Sequence, residues 1–161
     1  MSYEGLSPIR FDSVSMVTAT LGAGDPQVGD KCTTGGRDYI FVYNDGGEDI
    51  DPGLGATLQS GATGMSVTVS TVTSDDIVIG VCRHATLTTA TYGWLVTRGI
   101  TNLEMNATSG TVAAGDLLEI GANGDFQKVS NTTGNLAPAI GQALEAIVSS
   151  ASGSCYVRCW G

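Results

Sequence analysis

IVIGVC (77–82), YGWLV (92–96), GDLLEIGANGDFQKV (115–129), PAIGQALEAIV (138–148) and SCYVRCW (154–160) are short apolar runs separated by turn residues. Runs of this length and spacing are the pattern of an all-β sandwich or small barrel. The pair Asn123-Gly124, set between two apolar runs, is a strong hairpin signal, because both residues tolerate the positive φ that a tight turn needs. Pro138–Val148 is ambiguous. Ile140, Leu144, Ile147 and Val148 fit helical spacing, whereas Gly141 and the β-rich surroundings favour a strand with a bulge. The expectation is all-β, with at most one short helix.

The pattern continues toward the N-terminus. Met65, Val67, Val69 and Val72 alternate with polar residues, as in a half-buried strand. Gly35-Gly36 turns the chain into a strand over 39–43, and Asn44-Asp-Gly-Gly47 ends it. Tyr92–Val96 reads as a strand that stops at Arg98-Gly99, with Leu103–Met105 as a separate short one. Residues 1–30 carry Pro8, Pro26 and apolar residues of no sustained period, so they read as an extended N-terminal arm, with an irregular entry into the core as the other reading. Residues 31–161 then form the β-rich domain. Tyr3, Leu6, Ile9 and Phe11 are the arm's apolar anchors, able to add to the sheet edge of a neighbour.

Composition narrows the function. The chain has 161 residues and a net charge of −9, with only 14 % charged residues. Lys31, Lys128, Arg10, Arg37, Arg83, Arg98 and Arg158 are scattered, whereas binding to nucleic acid needs clustered cations to displace phosphate counterions. No nucleic-acid partner is expected. No run approaches the ~18 apolar residues of a spanning helix, and none reads as a leader peptide, so no membrane partner is expected and folding in a cytosol is.

Little in the sequence suggests catalysis. G-x-S-x-G and GxxxxGK[ST] are both absent. His84 is the sole imidazole, and a lone His beside a Thr-rich loop reads as a surface or structural residue. Asp45, Glu48, Asp49 and Asp51 follow the Asn44 turn without the spacing of a calcium loop, so a solvated acidic turn is the favoured reading and a weak calcium site the other. Cys155 and Cys159 are roughly 13 Å apart if extended, too far for a disulfide. A zinc site would need all four Cys, or three with His84. Small buried thiols are the plainer account. The expectation is no enzyme, no cofactor and no metal.

The segments IGVC (79–82), YGWLVTRG (92–99), AGDLL (114–118) and AIGQALE (139–145) resemble tailed-phage capsid decoration (cement) proteins of the lambda-type, β-tulip-like kind. The resemblance covers roughly residues 77–160. It implies a small β-barrel or β-tulip-like domain that forms homotrimers on the outer surface of the virion, after synthesis in the host cytoplasm. The trimers would sit at local three-fold sites of an expanded head. It also implies the phage major capsid protein as partner, reached by the arm through Tyr3, Leu6, Ile9 and Phe11. Trp94 and Trp160 are then the expected residues of the subunit interface, where aromatic anchors are common. A capsid-exposed binding module, such as a head-fibre base or a glycan-binding domain, is the alternative.

Overall fold

The computed structural model describes residues 14–59, 61, 64–69, 77–107, 110–129 and 139–159. Eleven strands form one mixed sheet: β1 Val17–Thr18, β2 Lys31–Thr34, β3 Arg37–Asn44, β4 Gly55–Leu58, β5 Ser66–Val69, β6 Val78–Cys82, β7 Tyr92–Glu104, β8 Leu117–Ile120, β9 Phe126–Lys128, β10 Gly141–Ala143 and β11 Ser152–Arg158. The one helical element among the described residues is the 3-10 turn Ala122–Gly124 inside the β8–β9 hairpin, where Asn123 and Gly124 both take positive φ. The fold is all-β, as expected.

The pairings run β2-β3-β5-β4-β6-β7-β11-β10-β8-β9, and β3 also pairs with β7. The β3, β5, β4, β6 and β7 strands therefore curl toward a ring. The seam between β3 and β5 is parallel and only two residues long, Tyr43 opposite Ser66 and Asn44 opposite Val67. The expected small barrel is thus a partial ring, held together at one end. Beyond it, β7 carries the sheet outward through β11 and β10 to the β8–β9 hairpin.

Alternation along β3 and β7 builds two cores. Ile40, Val42 and Leu95 join Ile50, Ala56, Val67, Val69, Ile79 and Leu87 in one cluster. Tyr39, Phe41, Trp94 and Val96 face the other, which continues through Leu103, Leu118, Phe126, Cys155 and Val157. Successive side chains in a strand point to opposite faces, so a strand buried on both sides serves both clusters.

One local reading changes, one strand is added and one ambiguity is resolved. Arg98-Gly99 does not end a strand, because β7 runs unbroken for 13 residues. Gly99 has φ +118°, and the pairing with β3 shifts register at Asp38/Tyr39, so the strand bends away from β3 and pairs onward with β11. Residues 55–58 form β4, which no alternation announces. A Cβ on Gly55 would stand 2.8 Å from Ile120 Cδ1 and 2.9 Å from Phe126 Cζ, so the hairpin packs onto bare backbone there. The ambiguous segment 138–148 supplies β10, a strand, and Gly141 passes so close to β11 that a Cβ would be 2.8 Å from the Tyr156 carbonyl oxygen.

Candidate functional site

Tyr3, Leu6, Ile9, Phe11 and Trp160 lie outside the described residues. Of the segment read as an arm, residues 14–30 lie along the body. Val17 and Thr18 pair with Gly93 and Tyr92, and Val14, Met16, Leu21 and Val28 pack against the larger core. Trp94 is 7 % exposed, and its ring centroid is 5.0 Å from that of Phe41. Core packing within its own chain accounts for that burial.

The four cysteines are free thiols. Burial pushes Cys82 and Cys155 up to about 11, so they remain protonated, weak nucleophiles at neutral pH. The acidic turn is held by its own surroundings. Asp49 accepts from the Thr89 N–H at 2.8 Å and Asp51 from the Thr86 hydroxyl at 2.6 Å. Among the described residues no three His, Cys, Asp or Glu side chains converge as metal ligands do.

The surface carries two features instead. The first is a row across the outer face of the sheet. Ile100 lies opposite Tyr156, Tyr156 opposite Gln142, and Gln142 opposite Leu117. Directly paired residues share a face. Ile100, Tyr156 and Leu117 are 49 %, 37 % and 51 % exposed, and Leu144, just past the end of β10, is exposed as well. The row therefore crosses β7, β11, β10 and β8, apolar at Ile100, Tyr156 and Leu117 and interrupted by the polar Gln142 on β10. Arg98 Nε donates to the Tyr156 hydroxyl at 3.1 Å and fixes the ring at one end.

The second feature is a groove of about 450 Å³ at the free edge of β7, lined by Arg37, Arg83, His84, Asn102 and Ser154 among others. The edge arises from strand parity. The Thr97 carbonyl accepts from the Cys159 N–H at 2.7 Å, and the Met105 N–H donates to the Ala151 carbonyl at 3.0 Å, both on the β11 side. The peptide groups of Ile100, Asn102 and Glu104 therefore point the other way, where β3 has stopped at Arg98. The Ile100 carbonyl accepts from Arg37 Nε, and the Glu104 N–H donates to the Gly53 carbonyl at 3.1 Å. Between these plugs the Asn102 peptide faces the groove, with no partner among the described residues.

The electrostatics there oppose the acidic whole. Arg37 also donates to the Gly35 carbonyl at 3.0 Å, and Arg83 to the Tyr39 hydroxyl at 3.3 Å. Arg83 also lies 3.1 Å from His84 Nε2. A guanidinium has only donors, so this ring nitrogen accepts and the imidazole proton sits on Nδ1. Partial burial, then the nearby Arg83 and Arg37 charges, hold the His84 pKa below its ordinary value. Thr101 also lines the groove, and its buried Oγ1 has no hydrogen-bond partner among the described residues.

Neither feature was legible beforehand. Alternation in SCYVRCW does separate Tyr156 from Cys155 and Val157, but its alignment with Ile100 and Leu117 needs the register. Arg37 and Arg83 are 46 positions apart in the chain, and only the partial ring brings them together.

No protein-family model and no curated protein matches the chain. Among solved structures, the fold is similar to "head fiber gp8.5 N base in bacteriophage phi29", with a TM-score of 0.55 and 9 % identity over 74 % of this chain and 93 % of that one. At that identity the likeness is one of fold. It places a head-fibre base, rather than a decoration protein, beside the resemblance read from residues 77–160.

Proposed function

We propose that this chain is a non-enzymatic structural protein of a phage head. It docks on the outer surface of an expanded capsid as a homotrimer at local three-fold sites, and cements neighbouring capsomers of the major capsid protein. The observation that carries the phage-head part is the fold likeness to a head-fibre base across most of that chain. The exposed row of Ile100, Tyr156 and Leu117 supplies a surface suited to burial against a partner, since apolar area removed from water contributes roughly 25 cal/mol per Å². Tyr3, Leu6, Ile9 and Phe11 remain the proposed capsid anchors, and Trp160 a proposed subunit contact.

Cementing follows from linkage. A protein that binds only the expanded lattice stabilises it by the free energy of that binding, and a trimer engages several sites at once. A second reading, a head-fibre base, is favoured by the neighbour itself. It needs attachment to the head without added lattice stability.

One experiment addresses both. Light scattering gives the native mass, expected near three times 16.4 kDa, and purified expanded heads are then heated with and without the protein. Binding that raises the disruption temperature supports cementing. Binding without that rise supports the fibre base. No binding to heads overturns both. The double variant Ile100→Asp, Leu117→Asp is expected to remain folded, because both side chains are exposed, and to lose trimer or head binding.

A further inference from the structure

We propose that the groove between Arg37, Arg83 and His84 binds an acidic sugar, a pyranose ring that bears a carboxylate. The site stands on the groove itself and holds with either reading of head attachment.

The charge is the first argument. In a chain of net charge −9, the groove gathers two guanidiniums and the only imidazole. Among the described residues the ion pairs are Arg98–Asp38 and Lys128–Asp116, so Arg37 and Arg83 have no carboxylate partner there. The nearby acids are mostly engaged. Asp38 takes the Thr33 hydroxyl and Arg98, Asp51 takes Thr86, and Glu145 takes the Ser154 N–H at 2.7 Å. Glu104 is exposed at the far end, beside Gly53. Both guanidiniums are held by neutral acceptors, which orient them before any ligand arrives and leave several N–H donors unused. A planar fork of donors matches a carboxylate.

The neutral lining is the second argument. Ser152, Ser154 and the Asn102 side chain offer both donors and acceptors, as does the Asn102 peptide. Sugar hydroxyls also donate and accept, so they use such a mixed set where a simple anion would not. The volume of about 450 Å³ lies in the range of small-ligand sites. An extended acidic peptide fits less well. Strand addition uses a run of unpaired backbone, and here Arg37 and Gly53 close the edge on both sides of Asn102.

The single histidine makes the test direct. The His84 ring-proton resonance of the full chain is followed by NMR during titration with glucuronate, N-acetylneuraminate, glucose and inorganic phosphate. At least one acidic sugar is expected to bind saturably with a Kd of about 1 mM or tighter. A bound carboxylate should also move the His84 titration to higher pH. Glucose should bind at least about tenfold more weakly, and Arg83→Gln should weaken the acidic sugar by about tenfold. Asn102→Ala, on an exposed position, is the second variant and should weaken it without altering the fold. No saturable response to either acidic sugar overturns the proposal. So does phosphate binding as tightly as the better of them, or unchanged affinity in both variants.

Discussion

The backbone of Gly99 runs so close to Gly36 that a Cβ on Gly99 would stand 2.9 Å from the Gly36 carbonyl oxygen. This contact lies where β7 leaves β3 and continues with β11, so the bend joins the partial ring to the rest of the sheet. Gly99 also has φ +118°, which side chains rarely adopt. Gly99→Ala is expected to cost about 2–4 kcal/mol, from the strained backbone and the clash together. Gly36→Ala is the control. It also has positive φ, but open space around the added carbon, and should cost only about 1 kcal/mol. Urea unfolding of both variants checks this, and equal losses would remove the close approach as the cause.

Much of the fold was readable because period-two alternation and turn chemistry are local. β3, β5, β6, the β8–β9 hairpin and β11 all fall where the sequence places strands. The failures share one cause, which is that tertiary contacts reverse local signals. Arg98-Gly99 reads as a stop, yet glycine is what lets the strand bend and go on. Gly55, which opens β4, shows no strand signal because Ile120 and Phe126 occupy the space a side chain there would fill. The groove was hidden for the same reason, since its two arginines meet only through the β3–β7 and β6–β7 pairings. The four anchors expected before residue 14 lie outside the described residues.

Thr101 is 3 % exposed and its Oγ1 lacks a partner among the described residues. A buried hydroxyl without a hydrogen bond forfeits its hydration, at a cost on the order of 1–3 kcal/mol. Valine has nearly the same shape and no such group. Thr101→Val is therefore expected to stabilise the chain by about 1 kcal/mol, raising Tm by roughly 2–4 °C in calorimetry. A loss of stability would mean that the hydroxyl is satisfied, for instance by a bound water.

His84 should give stability a specific acid limb. Its folded-state pKa lies below the ordinary value, chiefly through desolvation and then through Arg83 and Arg37. The unfolded imidazole takes up its proton near about pH 6.5, before the folded one does. Stability is therefore kept above about pH 6.5 and declines as pH falls through the lowered folded-state value. His84→Gln removes this contribution, so its loss of stability between about pH 7 and pH 5 should be smaller than that of the parent. Denaturant midpoints across that window are the measurement, and parallel curves would contradict the shift.

Asn44 decides whether the acidic turn is a structural device or an ion site. It is fully buried at the end of β3. Its Nδ2 donates to the Leu87 carbonyl at 2.8 Å and the Glu48 carbonyl at 3.0 Å, while its Oδ1 accepts from the Gly46 N–H at 3.1 Å. One side chain thus ties the turn that carries Asp45, Glu48, Asp49 and Asp51 to the segment at Leu87. Asn44→Ala strands the Gly46 N–H and the Glu48 carbonyl and leaves a void, so it should cost about 2–4 kcal/mol. If the turn is held in this way, millimolar calcium should leave the Tm of both the parent and the variant unchanged. A calcium-dependent rise in the parent would instead make the acids ligands, because binding to the native state alone raises stability with ligand concentration.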